Sequence, residues 1–228
     1  MKQILRTVLP AGLILLAVLA AGCGAPSRPP RKQPAQDAGF HYRWAQEQYN
    51  RGRYMEALES IDKAIDIEPD DYTNYYMRAH IYLAAGETEK SIADLARVLE
   101  INPYFTDARN TMGVAYATLG DTASALAAFD AALDDPKYPF KQKVYYNRGD
   151  LYFNQEDFPK AIEEFRRALT VEPDYARAHF KLGKALQATG RAEEANREFD
   201  EVLRLVPPRS ELAREVHLLR QSAAAPSS

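Results

Sequence analysis

A pattern of small and large apolar residues recurs five times along this chain and restricts its fold more than any other feature. Each small residue is followed four positions later by a larger apolar residue, and successive pairs are 34, 34, 36 and 34 residues apart. The pairs are Ala57 and Ile61, Ser91 and Leu95, Ala125 and Phe129, Ala161 and Phe165, and Ala195 and Phe199. A spacing of four places both members on one face of an α-helix, and the long period indicates helical repeats. The sequence therefore predicts an all-α fold built from five copies of one unit.

Three further series follow the same period. Small residues recur at Ala45, Ala79, Gly113, Gly149 and Gly183, prolines close units at Pro69, Pro103, Pro173 and Pro207, and turn glycines lie at Gly52, Gly86, Gly120 and Gly190. In the fourth unit Glu156 replaces the turn glycine, and Asp157 and Pro159 supply a helix start. The predicted helix pairs are 38–51 with 54–67, 72–85 with 88–101, 106–119 with 122–134, 142–155 with 158–171, and 176–189 with 192–205.

The period and these positions resemble the tetratricopeptide repeat, in which two antiparallel helices pack through small residues and stack on the next pair. The resemblance implies a right-handed superhelix of five helix-turn-helix repeats, and hence a binding scaffold. The predicted domain covers 38–221, with repeats at 38–71, 72–105, 106–141, 142–175 and 176–208. A last amphipathic helix at 209–221, with Ser210 as its cap, is predicted to cover the apolar end of the stack. Residues 222–228 are predicted to be a disordered tail.

The N-terminal residues 1–22 have the composition of an export signal. Lys2 and Arg6 come first, and an apolar run follows that is shorter than the roughly 20 residues of a membrane-spanning helix. Cys23 is the only cysteine, and residues 19–23 resemble the bacterial lipobox, in which the thiol is lipidated. The alternative is an ordinary signal peptide that contains a chance cysteine.

Residues 23–37 contain four prolines, three basic residues and no large apolar side chain, so they are predicted to form a tether. Gly24 follows the cysteine, and by resemblance to Gram-negative lipoproteins this favours the outer membrane over the inner one. We therefore expect a periplasm-facing protein that is held at the outer membrane through its lipid.

Chemistry-bearing motifs are missing from the sequence. The four histidines form no metal-binding spacing, and neither a phosphate-binding loop nor a nucleophile motif occurs. The net charge of −3 argues against nucleic acid as a partner. We therefore predict a protein that is not an enzyme and that uses no cofactor and no metal.

The candidate binding residues lie on the concave wall, which the first helix of each pair lines in tetratricopeptide repeats. Because the small series and other tyrosines already occupy the packing positions, we expect the aromatic residues of this wall to have no core left to enter. They would form a groove for a hydrophobic or amphipathic segment of a protein partner. The alternative is that the aromatics fill gaps between adjacent helices. The predicted partner-binding residues are Tyr42, Tyr49, Tyr76, His80, Leu83, Asn110, Tyr146, Asp150, Phe153, Phe180 and Lys184.

The leader, linker and compact array together resemble the type IV pilus biogenesis lipoproteins, the pilotins. The connector 134–141 carries the resemblance best, because its Tyr-Pro step precedes a helix containing Asn147, Gly149 and Tyr152. Members of that family usually have six repeats, whereas this chain has five and a lone helix. The resemblance implies a scaffold that helps an outer-membrane secretin to assemble. The alternative is an envelope adaptor that recruits peptidoglycan hydrolases or proteases, and an enzyme carrying the repeats would need a second domain.

Overall fold

The computed structural model describes residues 37–224, which form eleven α-helices and no β-strand. The helices are α1 (Ala38–Asn50), α2 (Tyr54–Ile67), α3 (Tyr72–Ala84), α4 (Thr88–Ile101), α5 (Thr106–Thr118), α6 (Thr122–Leu133), α7 (Lys141–Asn154), α8 (Phe158–Val171), α9 (Ala176–Ala188), α10 (Ala192–Leu205) and α11 (Glu211–Ala224). The first ten end within one residue of the predicted bounds. The last begins two residues later than predicted and continues to Ala224, so the prediction of disorder is wrong for 222–224. The predicted leader, Cys23 and most of the tether lie outside the described residues.

Each helix pair closes around the recurrent small and large residues. The large residues of the pattern, from Ile61 to Phe199, are all buried, and so are the small residues facing them. In the last three repeats the partner is glycine: a Cβ added at Gly149 would lie 2.7 Å from the ring of Phe165. The first two repeats combine alanine with a smaller side chain, as in Ala45 with Ile61. The summed volume of the two facing side chains therefore changes little from repeat to repeat.

A residue with a left-handed backbone conformation follows the end of the first helix of each pair. Gly52, Gly86, Gly120 and Gly190 have φ between 72° and 80°, and Glu156 has φ 61°. Glycine takes this conformation without a steric cost, whereas glutamate takes it only at a steric cost. The side chain of Asp157 accepts a hydrogen bond from the amide of Lys160, which confirms the predicted cap after the one turn that lacks glycine.

Successive repeats pack through the second helix of one and the first helix of the next. Two arginines in equivalent positions form ion pairs across two of these interfaces. Arg78 bridges Asp62 of the preceding repeat and Asp94 of its own repeat, with N to O distances of 2.7 Å to both. Arg148, two repeats later, bridges Asp130 at 2.6 Å and Glu164 at 2.9 Å.

The two-residue expansion between repeats three and four is held in place by its own side chains. Tyr138 is buried and donates a hydrogen bond from its hydroxyl to Asp107 at 2.6 Å. The hydroxyl of Thr106 donates to Asp135 at 2.6 Å. The connector 134–141 therefore closes against α5 and keeps the stack continuous.

The C-terminal helix covers the last repeat. Ala213 and Val216 are fully buried, and Leu212 and Leu219 pack against the cluster that contains Phe199. Ser210 accepts the amide of Ala213 at 3.2 Å, as expected of a helix cap. Along residues 37–224, no helix combines the length and the apolar character that crossing a bilayer requires.

Candidate protein-binding site

Helices α1, α3, α5, α7 and α9 run side by side, and their common surface is called here the first-helix face. Contacts between α1 and α3, α5 and α7, and α7 and α9, with the 3.2 Å hydrogen bond between Tyr76 of α3 and Thr111 of α5, define this order. It arises because each first helix packs on the second helix before it and the second helix after it. All eleven predicted binding residues belong to these helices.

The aromatic series of this face is packed more deeply than predicted. Tyr42 and Tyr49 pack against the core of repeat one. The ring centroid of Tyr76 lies 4.6 Å from that of His80 and 4.8 Å from that of Phe105. The expectation that these rings have no core to enter is therefore wrong. The ring bodies fill the gaps between neighbouring helices, and an edge of each ring stays at the surface.

The two most deeply placed candidates are Phe180 and Asn110, which are 6% and 9% exposed. Phe180 packs against Phe199, with ring centroids 6.2 Å apart. These two residues contribute little surface to a partner, so their predicted role is corrected to packing with a small exposed edge. The other nine candidates are half-buried: Tyr42, Tyr49, Tyr76, His80, Leu83, Tyr146, Asp150, Phe153 and Lys184.

Tyr146 shows how a half-buried ring is held. Its centroid lies 5.9 Å from that of Phe165 and 5.3 Å from that of Tyr175. Burial raises the pKa of its hydroxyl to about 12, and the nearby carboxylate of Asp150 adds to this shift. Tyr146 therefore remains a neutral hydrogen-bonding group at the rim of the face.

A first cleft of about 420 Å³ lies between α5 and α7. Val114, Leu151 and Phe129 give it an apolar floor, and side-chain amides and a carboxylate stand around them. The amides belong to Asn147, Asn154 and Gln155, and the carboxylate belongs to Asp150. Asn147 donates to the amide oxygen of Asn110 at 3.0 Å, which orients its side chain. Amide groups both donate and accept hydrogen bonds, so this rim suits the backbone of an extended peptide.

A second cleft of about 540 Å³ lies between α7, α9 and α11. Tyr146 and Phe180 form part of its wall, and Lys184 lies over the rings of Phe153 and Phe180 at 5.7 and 5.6 Å. The acidic side chains Glu211 and Glu215 of α11 complete it. This contribution was missed in the sequence, where α11 was assigned only a covering role, since no local pattern shows where a closing helix lies.

The predicted residues divide into two groups. Asp150 lines the first cleft, and Tyr146, Phe180 and Lys184 line the second. Phe153 lies beside them, because Lys181 pairs with Asp150 and also lies 5.3 Å from the ring of Phe153. The structure therefore brings together five candidates in one region on α7 and α9. It leaves the other six outside both clefts: Tyr42, Tyr49, Tyr76, His80, Leu83 and Asn110.

Residues 37–224 contain no group of three or more metal-ligating side chains. His179 is a packing residue: its two ring nitrogens lie 2.6 Å from the carboxylate of Glu198 and 2.8 Å from the carbonyl of Pro173. Burial lowers the pKa of His80, which contacts Tyr76. Both histidines are therefore accounted for by their neighbours in the stack.

Comparisons with known proteins agree with this architecture. Models of the tetratricopeptide repeat match residues 42–104, 76–142 and 177–208, and a TPR repeat model matches 149–190. The matched ranges together cover more than half of the chain. Human protein O-mannosyl-transferase TMTC1 is 26% identical over 161 residues, which are 70% of this chain and 18% of that protein. The chain spans only 18% to 23% of the length of TMTC1 and two other curated relatives.

Solved structures extend the likeness to nearly the whole repeat domain. PilW, a type IV pilus biogenesis factor, is 22% identical with a TM-score of 0.66, over 84% of this chain and 95% of that chain. Pseudomonas aeruginosa PilF is 16% identical with a TM-score of 0.65, over 85% and 93% of the two chains. A thermophilic TPR protein from Thermus thermophilus is 20% identical with a TM-score of 0.70, over 81% and 100%. At these identities the likeness concerns the fold, and it confirms the predicted all-α repeat superhelix.

Proposed function

This chain belongs to the tetratricopeptide-repeat family, and we propose that it is a non-catalytic scaffold that binds a partner protein on its first-helix face. The observation that carries this proposal is the pair of adjoining clefts along α5, α7 and α9. Their amide rim, apolar floor and aromatic edges suit an extended segment that presents backbone groups and apolar side chains.

The proposed setting is the bacterial envelope. We infer from the leader that Cys23 is lipidated and that the protein is held at the outer membrane, facing the periplasm. The array as a whole is similar to PilW over 95% of that chain, which favours a role in type IV pilus biogenesis. The proposed activity is assistance to secretin assembly.

A pull-down from membrane extract tests the binding face. The variant Asn154→Ala/Lys184→Ala removes two polar groups beside the clefts and leaves the buried core intact. If both are anchors, binding should weaken by about 2 kcal/mol or more. Glu59→Ala/Lys63→Ala is the matched control, because both residues are exposed on α2. Tyr76 and Tyr146 are poorer probes, since truncation of either ring also removes core contacts.

The identity of the recovered protein tests the biological role. Recovery of a secretin by the wild type and by the control variant supports the pilus role. Recovery of peptidoglycan hydrolases or proteases instead supports the adaptor role. Equal recovery by wild type and by the Asn154→Ala/Lys184→Ala variant contradicts binding at the first-helix face.

Metabolic labelling with a palmitate analogue tests the anchor. Wild type should incorporate the label and fractionate with membranes, whereas Cys23→Ser should do neither. Label in the serine variant contradicts lipidation at Cys23.

A further inference from the structure

Two aromatic side chains are exposed side by side on the first helix. Phe40 and Trp44 are 38% and 45% exposed, and their rings stack with centroids 6.4 Å apart and planes 14° from parallel. Trp44 is the only tryptophan of the chain. Exposed single apolar residues are common on protein surfaces, but a stacked Phe–Trp pair calls for an explanation.

The repeat pattern shows what this surface is. The residues equivalent to Phe40 in the other repeats are Asn74, Ala108, Val144 and Ala178, and all are at most 2% exposed. They lie in the interface with the preceding repeat, where for example the Asn74 amide donates to the carbonyl of Ala64 at 3.5 Å. Phe40 and Trp44 therefore occupy a stacking surface, and no preceding repeat covers it among residues 37–224.

The aromatic pair distinguishes this surface from the internal interfaces. Arg43 and Glu47 adjoin the aromatic pair on α1, and Glu47 pairs with Arg51 at 2.6 Å. Aromatic rings surrounded by charges of both signs suit the boundary between lipid headgroups and acyl chains, where a ring buries its body and charged groups remain hydrated. The internal positions equivalent to Phe40 and Trp44 carry no aromatic residue; those equivalent to Trp44 hold Arg78, Met112, Arg148 and Leu182. Arg78 and Arg148 form ion pairs with the preceding repeat.

The position of α1 in the chain identifies the occupant. Residues 24–36 separate Cys23 from the described domain, and at about 3.1 Å per residue in extended polyproline geometry they reach at most about 40 Å. We propose that Phe40 and Trp44 dock on the lipid bilayer and form a second membrane contact beside the acyl anchor. This inference rests on the proposed lipidation of Cys23. Docking sets the N-terminal repeat against the membrane and leaves the clefts of α5, α7 and α9 for the partner.

Tryptophan fluorescence tests the contact directly. Protein purified from membranes is reconstituted into phosphatidylethanolamine and phosphatidylglycerol vesicles in which a share of the acyl chains is brominated. Bromine quenches only nearby indoles, and interfacial residues lie about 5–10 Å deep at the headgroup boundary. We expect brominated lipid to cause a loss of Trp44 emission, and Phe40→Ser to reduce that loss with an unchanged helical circular dichroism spectrum.

The variant Trp44→Phe/Leu218→Trp is the matched control. It moves the reporter to an exposed position on α11, at the other end of the stack, where we expect no quenching. Lack of quenching at Trp44, or equal quenching at both positions, contradicts docking. A blue shift of Trp44 emission that grows with protein concentration in the absence of lipid, together with a doubled mass, shows that a second copy of the chain covers this surface. That result contradicts docking on the bilayer.

Failure of the anchor and failure of docking give different results. If the protein carries no palmitate label, lipidation is contradicted. Quenching of Trp44 by brominated vesicles added to that protein still measures docking. Lipidated protein whose Trp44 emission is insensitive to brominated lipid contradicts docking alone.

Discussion

Single residues on the two helices of a repeat are packed in close contact. Three glycines, Gly113, Gly149 and Gly183, each face a phenylalanine ring at a distance where a Cβ would overlap it. Repeats one and two have alanine at this position and Ile61 or Leu95 opposite. Since the sum of the two volumes is nearly constant, we expect the two positions to be energetically coupled.

A double-mutant cycle tests this coupling. Gly149→Ala should destabilise the protein by about 1 kcal/mol, because overpacking costs about 1–3 kcal/mol and the better helix propensity of alanine offsets up to about 1 kcal/mol. Adding Phe165→Leu, which restores the combination of repeat two, should cost less than the two single changes together by about 1 kcal/mol. Urea unfolding measures each free energy. Gly149→Ala with Phe129→Leu is the control pair; coupling of the same size there contradicts a local effect.

Glu156 is the one residue with a side chain among the left-handed turns. Its positive φ costs about 1–2 kcal/mol relative to glycine, and the greater freedom of glycine in the unfolded chain offsets about 0.5–1 kcal/mol. Glu156→Gly should therefore stabilise the protein by about 0.5–1 kcal/mol, measured by urea unfolding. Gly120→Glu, at the same position of repeat three, should have the opposite effect. The argument from backbone strain fails if both variants shift stability in the same direction.

Between elements, polar contacts recur at equivalent positions even where the residues differ. Tyr75, Arg109 and His179 occupy one repeat position, and each donates a hydrogen bond to the carbonyl of the proline six residues earlier. In the fifth repeat His179 also binds Glu198 of α10. Two acceptors face the ring, so only the doubly protonated imidazolium donates to both.

The pH dependence of stability follows from this arrangement. Burial lowers the pKa of His179, but hydrogen bonds to Glu198 and Pro173 outweigh burial and raise it above its ordinary value. A histidine pKa that is raised in the folded state stabilises fully below the unfolded value of about 6.5, and this contribution is lost as pH rises through the folded value. The unfolding free energy should therefore decline above about pH 6.5 in wild type and decline less in His179→Gln.

Chemical denaturation at a series of pH values gives this comparison. His217→Gln changes an exposed histidine on α11 and serves as the control. Identical pH profiles for wild type and His179→Gln would show that the contact with Glu198 contributes nothing measurable to stability.

At the scale of the whole molecule, stability passes from each repeat to its neighbours. The main helix contacts are within a repeat or between adjacent repeats, as in other repeat arrays. The last repeat depends on α11, whose Val216 is fully buried beside Phe199 and Val202. Loss of this cover should therefore loosen the C-terminal repeats first.

Val216→Asp tests this propagation by placing a carboxylate in an apolar site without a partner. Burying an unpaired charge is strongly unfavourable, so α11 should detach and expose repeat five. Hydrogen exchange should show faster exchange in α9 and α10 and unchanged protection in α1 to α4. Arg214→Asp is the control, since Arg214 is exposed on the same helix. Uniform loss of protection along the stack would contradict nearest-neighbour coupling.

Most of the fold could be read from local patterns. Helix bounds and the burial of Phe129 and Phe165 follow from apolar spacing, turn residues and the 34-residue period, because these act within one repeat and its neighbour. The site could be predicted only in part. The period places Tyr146, Phe153 and Lys184 on one face of the first helices, which is where the structure has them.

Contacts between repeats decided the rest of the site and the surfaces at the ends of the stack. Phe180 and Asn110 share the period of the half-buried candidates but are buried, because the exposure of a side chain depends on the neighbouring helices as well as on its own helix. Only the packing of α11 on α10 brings Glu211 and Glu215 to the cleft of α7 and α9. Among residues 37–224 no repeat precedes α1, and this exposes Phe40, whose equivalents in the other repeats are buried, together with its neighbour Trp44. A periodic sequence repeats the environment of a residue within its unit, whereas the ends of the stack and the gaps between units exist only once the repeats are assembled.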